Sequence, residues 1–260
     1  MDAHWKTSEP FARGPGTALH SNLWQGLRLA YFSHLSRGGD RLLDFGPRKK
    51  HAAIAGADWA NSELGPILSF NGTSSDYVNT GDTTSLLSAN PWMTFAVGFD
   101  FLGGSVTHTD AWAGSLTPSV GSGNVTILSR SPLSGNTVKL GVIVGDDAGN
   151  KRDWHTSGVY DLAGGPHVFS GSVDWLGGTV KMYFDGVFAA SAIRSQSGTL
   201  GAITTNDLPQ YLGCRNQAGS PATFNPCGIF SYQWASREWN PGEHALIGRD
   251  PFAILRTTPE

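Results

Sequence analysis

Apolar and polar residues alternate most regularly between residues 166 and 190. Phe169, Val173 and Trp175 fall on one face of a predicted strand and serines fall on the other, because successive side chains of a strand point to opposite sides. Two turn signals follow, Gly177-Gly178 and Asp185-Gly186, and both suit tight hairpins. The pattern predicts an antiparallel meander that needs a second layer over its apolar face.

Further apolar stretches bring the expected total to about a dozen strands. They cover residues 26–33, 68–78, 92–101, 125–130, 138–144, 210–214 and 227–235, and Asn71-Gly72 predicts a turn inside the second of them. Residues 92–101 are apolar on both faces, which is typical of a strand buried between layers. Residues 103–123 and 145–157 are predicted to be loops.

One helix is predicted near the end of the chain. Asn240 is a favoured N-cap, Pro241 suits the first helical position, and Glu243 completes a capping box. We expect this helix to end at Gly248, after about two turns.

Composition supports a β-rich fold, since the 260 residues include 34 glycines and 14 prolines and only 15% are charged. The predicted fold class is all-β, a two-sheet antiparallel jelly-roll sandwich with one short C-terminal helix. We assign residues 26–260 to this domain and residues 1–25 to an N-terminal extended arm. The arm is polar but carries Trp5, Phe11 and Trp24, so we predict that the domain surface or another protein chain holds it.

Charge and hydropathy exclude two classes of partner. With 18 basic and 21 acidic residues the net charge is −3, which provides no field for nucleic acid. No window of about 18 apolar residues predicts membrane insertion, and the N-terminus shows no signal-peptide core. Cys214 and Cys227 are too few for a disulfide scaffold, so buried free thiols are predicted, with a single bridge as the alternative.

Several segments together resemble the laminin-G-like jelly-roll family, the sandwich of concanavalin A-like lectins and glucanases. The matching segments are residues 27–32, 44–51, 66–78, 167–186, 211–213 and 228–252. The resemblance implies a secreted, surface or virion module that binds glycans or proteins. The predicted helix followed by Asp250-Pro251-Phe252 is also similar to versions encoded among bacteriophage structural genes.

The sequence offers no catalytic constellation. Enzymes of the resembled superfamily carry Glu-x-Asp-x-(x)-Glu on one strand, where both glutamates face one cleft. None of the five glutamates here has that spacing, and neither a nucleophile elbow nor zinc-ligand spacing occurs. His167 lies on the apolar face of its strand and is predicted to be a hydrogen-bonded core histidine. We therefore predict that the protein is not an enzyme.

Two clusters of polar residues are candidates for binding. Asp146, Asp147, Asn150 and Asp153 offer oxygen ligands for calcium, but turn formation explains them better, so no metal and no cofactor are predicted. For a glycan, an exposed aromatic platform beside polar groups is needed. The candidates are Asp110, Trp112, Trp154 and His155, all expected in loops, and the alternative is that the tryptophans cap loops or fill the core.

The predicted function is that of a non-enzymatic structural or binding module. We place it in a bacteriophage virion, as a capsid decoration or a tail or fibre protein that contacts other protein chains in an oligomer or particle. The alternative is a carbohydrate-binding or adhesion module on a cell surface or fibre, where its partners are glycans and its location extracellular.

Overall fold

A computed structural model describes residues 21–36, 38–72, 75–81, 91–101, 111–116, 124–134, 136–203, 210–217, 220–222 and 226–256. Twenty strands lie within these residues. The first ten are β1 Leu27–Phe32, β2 Arg41–Leu42, β3 Ala52–Ala55, β4 Asp58–Ser62, β5 Gly65–Ser69, β6 Tyr77–Asn79, β7 Trp92–Asp100, β8 Ala111–Leu116, β9 Asn124–Ser134 and β10 Thr137–Gly145. The others are β11 Lys151–Thr156, β12 Tyr160–Asp161, β13 Pro166–Asp174, β14 Thr179–Phe184, β15 Val187–Ala189, β16 Ser191–Ser197, β17 Tyr211–Leu212, β18 Arg215–Gln217, β19 Ser220–Ala222 and β20 Gly228–Ala235.

Four short helices complete the described chain. They are the α-helices α1 Ser33–Ser36 and α2 Pro241–Arg249, and the 3₁₀ helices Ser21–Trp24 and Ala253–Leu255. The predicted capping box of α2 is present, since the Asn240 side chain accepts from the Glu243 N–H and the Glu243 carboxylate accepts from the Asn240 N–H. Helix α2 ends at Arg249, one residue beyond the predicted glycine. None of the helices described here is long and apolar enough to cross a membrane.

The strands form two sheets, and the predicted all-β sandwich is confirmed. The eight-stranded sheet has the order β15-β14-β13-β7-β20-β5-β4, with β1 also paired to β20. The twelve-stranded sheet has the order β16-β11-β10-β9-β8-β17-β6-β3-β2, with β12, β18 and β19 attached to it. β18 runs parallel to β8, and the other described pairs are antiparallel. The predicted meander is β13, β14 and β15 at one margin of the eight-stranded sheet.

Strand alternation explains the core between the sheets. In the meander, Phe169, Val173 and Met182 point towards the twelve-stranded sheet and are fully buried. The register of the opposite sheet aligns residues of seven strands in one row. Six of these residues have described side chains, and all six are apolar and pack in the core between the sheets, namely Ile54, Val78, Leu212, Ile127, Val142 and Trp154. The pairing register and the core therefore specify each other.

A second core covers the outer face of the eight-stranded sheet. Helix α2 and the segments before and after it pack Trp239, Ile247 and Phe252 against this face. The prediction that residues 92–101 are buried on both sides is therefore confirmed, since Val97 belongs to the first core and Ala96 to the second. Gly248 lies against Gly186 at the β14–β15 turn, where a methyl group would overlap the opposing backbone.

Several predicted local structures are wrong. Residues 111–116 and 151–156, expected in loops, are strands β8 and β11, which pair with neighbours on both sides. Residues 68–78 do contain the end of one strand, a bend at Gly72 and a second strand, as predicted, and the two strands, β5 and β6, lie in different sheets. Residues 21–24 form a 3₁₀ helix instead of the end of an extended arm. Cys214 and Cys227 are buried and are not joined in a disulfide, as predicted.

Candidate functional site

The predicted glycan platform does not assemble as expected. Asp110 lies outside the described residues, and of Trp112 only the backbone, in β8, is described. Trp154 and His155 are adjacent in β11 and therefore point to opposite faces of the sheet. The Trp154 side chain is 2% exposed in the core, whereas His155 is half-buried on the outer face. The loop location predicted for these two residues is wrong, and their side chains cannot form one surface.

Of the four residues weighed as calcium ligands, Asp146, Asp147 and Asn150 lie in a turn, and Asp153 lies in β11. The Asp146 carboxylate accepts hydrogen bonds from the backbone N–H groups of Ala148, Asn150 and Gly201 and from the Asn150 amide. Burial opposes ionisation, but these hydrogen bonds outweigh it and hold the pKa of Asp146 below its usual value. Four donors occupy its two oxygens, so the turn interpretation accounts for this carboxylate.

The predicted arm is described only from residue 21 onwards, so Trp5 and Phe11 lie outside the described residues. Trp24 is half-buried, and its indole N–H donates to the Ile254 carbonyl at 2.9 Å. This contact joins the N-terminal 3₁₀ helix to the C-terminal segment of the same domain. For Trp24 the partner is therefore the domain's own surface, one of the two alternatives stated above.

A polar cleft lies where this 3₁₀ helix meets the N-terminus of α2. We name it the α2 cleft; its volume is about 480 Å³. That volume falls in the range of small-molecule sites, about 300–1,000 Å³. The lining residues are Asn22, Gln25, Lys181, Arg237, Glu238, Asn240, Pro241 and Glu243. They come from three parts of the chain, namely the N-terminal 3₁₀ helix with the residue after it, β14, and the segment from Arg237 into the first turn of α2.

Arg237 forms the rigid floor of the α2 cleft. Its Nη1 and Nη2 groups donate to the two Glu243 oxygens at 2.9 and 2.6 Å. The remaining N–H groups donate to the carbonyls of Gln25, Glu238 and Asn22 at 2.7–2.8 Å. A guanidinium has five N–H donors, and all five are used. The position of Arg237 is therefore determined by both ends of the described chain.

Glu243 is equally saturated. Besides Arg237, its oxygens accept from the Asn22 amide at 2.9 Å and from the Asn240 N–H at 2.8 Å. Burial alone would raise the pKa of Glu243, but the hydrogen bonds and the charge of Arg237 outweigh burial and lower it. This carboxylate stays ionised and has no free lone pair directed at a ligand.

Lys181 and Glu238 stand at the mouth of the α2 cleft. The Lys181 Nζ lies 2.6 Å from Glu238 Oε1, and the two side chains are 48% and 34% exposed. The hydrogen bond and the charge of Glu238 raise the pKa of Lys181. Because an exposed ion pair contributes little to stability, its two groups can exchange their mutual contact for contacts to a ligand.

A buried polar network holds the helix behind the cleft. His244, fully buried in α2, has Nδ1 2.8 Å from the Ser170 hydroxyl and Nε2 3.0 Å from the Ser172 hydroxyl, both on β13. The Trp239 N–H donates to Ser172 at 3.1 Å. The imidazole also stacks on the Tyr183 ring, with centroids 4.0 Å apart. These contacts fix α2, and with it the cleft, on the sheet.

The arrangement suits binding better than catalysis. Glycoside hydrolysis by a carboxylate pair needs one carboxylic acid with a raised pKa and a second carboxylate free to attack or to activate water. The cleft does contain two glutamates, but Glu243 is held ionised and fully hydrogen-bonded. A fixed floor with an exchangeable donor and acceptor at the mouth instead resembles the polar part of a ligand site.

Comparisons with known proteins show the fold. The sequence matches no protein-family model and no curated protein sequence. The structure is similar to the binding domain of Paraclostridial Mosquitocidal Protein 1, with a TM-score of 0.65 and 11% identity over 87% of this chain and 52% of that one. The chain thus spans about half the length of that binding domain.

Two carbohydrate-active proteins contain similar domains. Domain 4 of AbnA, a GH43 extracellular arabinanase from Geobacillus stearothermophilus in complex with arabinotriose, has a TM-score of 0.53 and 19% identity, covering 86% of this chain and all of that one. Trypanosoma rangeli sialidase in complex with the inhibitor DANA has a TM-score of 0.58 and 14% identity over 96% of this chain and 36% of that one. At these identities the likeness shows an all-β sandwich fold.

Proposed function

We propose that the protein is a non-enzymatic carbohydrate-binding module and that the α2 cleft is its ligand site. The observation that carries this proposal is the pairing of a saturated Arg237–Glu243 floor with an exposed Lys181–Glu238 pair at the mouth. The floor keeps its geometry when a ligand enters, and the mouth supplies one cationic donor and one anionic acceptor.

Sugar hydroxyl groups match this mouth chemically. A hydroxyl both donates and accepts, so two neighbouring hydroxyls can accept from the Lys181 ammonium and donate to the Glu238 carboxylate. Hydrogen bonds to charged groups contribute about 1.5–3 kcal/mol each. A neutral sugar satisfies both charges, whereas an anionic group at the same point would meet Glu238. The expected ligand is therefore a neutral saccharide of one or two units.

The similar structures support a binding module. They include a toxin binding domain, an arabinanase domain in complex with arabinotriose and a sialidase with an inhibitor. The place in a bacteriophage particle that the sequence resemblance implied gains no support from them, and neither does laminin-G membership in particular. We therefore favour the carbohydrate-binding or adhesion alternative, acting at a cell surface or outside the cell.

Substitutions at the mouth test the site without disturbing its floor. For any saccharide found on a glycan array, Lys181→Met and Glu238→Gln are each expected to weaken binding by about 10-fold or more, since each removes one charged hydrogen bond. Titration calorimetry on the folded variants measures this. Lys151→Met, a lysine change in a strand of the other sheet, is the matched control and should bind like wild type.

Two results would contradict the proposal. The first is a glycan array with no signal above background. The second is a saccharide whose affinity is unaffected by both mouth variants, which would place the ligand site elsewhere on the domain.

A further inference from the structure

An exposed aromatic ring lies beside the mouth of the α2 cleft. Phe188, in β15, is 60% exposed. The other phenylalanine, tyrosine and tryptophan side chains that the structure describes are buried or half-buried. The position of this ring relative to Lys181 and Glu238 therefore decides whether it can take part in ligand binding.

Phe188 and Lys181 share the outer face of the eight-stranded sheet. Alternation along β14 directs Lys181 and Tyr183 outwards, since Met182 between them is fully buried in the core between the sheets. Phe188 is the register partner of Tyr183, and such partners on antiparallel strands lie on the same face. Phe188 is therefore a diagonal neighbour of Lys181, with Cα atoms about 7–8 Å apart.

Neighbouring rings hold Phe188 in place. Its ring meets the Tyr183 ring edge to face, with centroids 5.6 Å apart, and Tyr183 stacks on the buried His244. Both nitrogens of His244 lie within hydrogen-bond distance of serine hydroxyls on β13. The exposed ring is therefore supported by rings that are themselves fixed. A side chain that is already ordered loses little conformational entropy when a ligand covers it.

The Lys181 ammonium and the Phe188 ring lie on opposite sides of β14. Lys181 Nζ is 2.6 Å from Glu238 Oε1, and the residue after Glu238 donates its N–H to Ser172 on β13. The lysine side chain is therefore directed towards the β13 side of its strand. β15, which carries Phe188, pairs with the other side of β14. The charged pair and the ring thus form two separate contact points on one face.

We propose that Phe188 is the stacking platform for the second unit of a neutral disaccharide whose first unit binds at Lys181 and Glu238; this inference rests on the function proposed above. A pyranose ring carries C–H groups on its faces and hydroxyls at its rim. The C–H hydrogens are slightly positive and the face of an aromatic ring is negative, so the two faces attract each other. Stacking also supplies the apolar contact that ligand sites usually have and that the mainly polar α2 cleft lacks.

Titration calorimetry tests the platform with cellobiose, xylobiose, lactose and maltose, and with the monosaccharides glucose, xylose and galactose. For each disaccharide that binds, Phe188→Leu is expected to weaken binding by about 10-fold, because the aromatic face is lost while an apolar contact to Tyr183 remains. Phe188→Tyr keeps the ring and should bind like wild type. Val187→Ala is the matched control, since Val187 is 71% exposed on the opposite face of the same strand. It should also bind like wild type.

Monosaccharides separate the two contact points. Wild type should bind a disaccharide more tightly than its constituent monosaccharides, and Phe188→Leu should abolish this difference, whereas Lys181→Met should weaken both.

Three results overturn the platform. The first is a disaccharide that both mouth variants weaken but that Phe188→Leu binds as tightly as wild type, a result that leaves the proposed function intact. The second is equal weakening by Val187→Ala and Phe188→Leu. The third is no binding of any of the seven sugars to wild type. The proposed function is contradicted by different results, namely an empty glycan array or a saccharide that neither mouth variant affects.

Discussion

Replacement of His244 by alanine is expected to lower the free energy of unfolding by about 3–5 kcal/mol, the range for truncating a large buried ring. The change removes the ring stacked on Tyr183 and leaves the hydroxyls of Ser170 and Ser172 without their imidazole partner. A cavity is then left under α2, lined by two hydroxyl groups that have lost a hydrogen-bond partner. Because α2 forms one wall of the cleft, binding should weaken together with stability.

Urea unfolding followed by tryptophan fluorescence measures this loss. His244→Phe is the informative companion, since it retains a ring against Tyr183 and loses only the hydrogen bonds; we expect it to recover part of the stability. His51→Ala, a change at an exposed histidine, is the control and should cost less than His244→Ala. If His244→Ala unfolds at the wild-type urea midpoint, the network does not hold the helix.

Wild-type stability is expected to fall as the pH is lowered from about 6.5 towards 4, with a limiting slope of about 1.4 kcal/mol per pH unit from His244. Burial, the largest influence, lowers the pKa of His244 to about 3. In the unfolded chain a histidine binds its proton near pH 6.5. Between these values the unfolded state takes up a proton that the folded state does not, so acid favours unfolding.

The difference between wild type and His244→Phe isolates this contribution. Both proteins share their other ionisable groups, and the lowered pKa values of Asp146 and Glu243 act mainly below pH 4.5. Unfolding free energies of both proteins are measured at pH 5, 5.5, 6, 6.5 and 7. The wild-type value minus the His244→Phe value should increase as the pH rises towards neutral. Parallel pH profiles of the two proteins would show that His244 has the same pKa in the folded and unfolded states, which contradicts the prediction.

Tyr183 connects the buried polar network to the α2 cleft. It lies on β14 two residues after Lys181, which stands at the mouth of the cleft, and the His244 imidazole stacks on its ring. Loss of His244 should therefore weaken saccharide binding together with stability, whereas the mouth variants should weaken binding alone.

Local pattern was sufficient for the meander and for α2. Alternation identifies the apolar face of β13 and β14 because a strand's side-chain period depends only on its own backbone. The capping box at Asn240 was predictable for the same reason, since all its partners lie within four residues. His167 is hydrogen-bonded as predicted, through Asp185 in the adjacent turn at 2.8 Å.

The sequence did not predict strands β8 and β11, because their alternation of apolar and polar residues is weak. Pairing with neighbouring strands stabilises them instead. Gly, Ser and Thr surround residues 111–116, and only pairing with β9 and β17 makes that segment a strand. Charged residues begin β11, yet its Trp154 completes the inward row of the twelve-stranded sheet. Loop composition therefore predicted the wrong surroundings for the glycan candidates.

By itself the sequence determined the β class, the apolar faces of the longest strands and the capped helix, because these follow from interactions between near neighbours. The tertiary structure decided what covers each face and which polar groups meet. Asn22 and Glu243 are 221 positions apart, and only the packing of both chain ends on one sheet brings them to 2.9 Å. The α2 cleft depends on such distant contacts, whose partners no local pattern specifies.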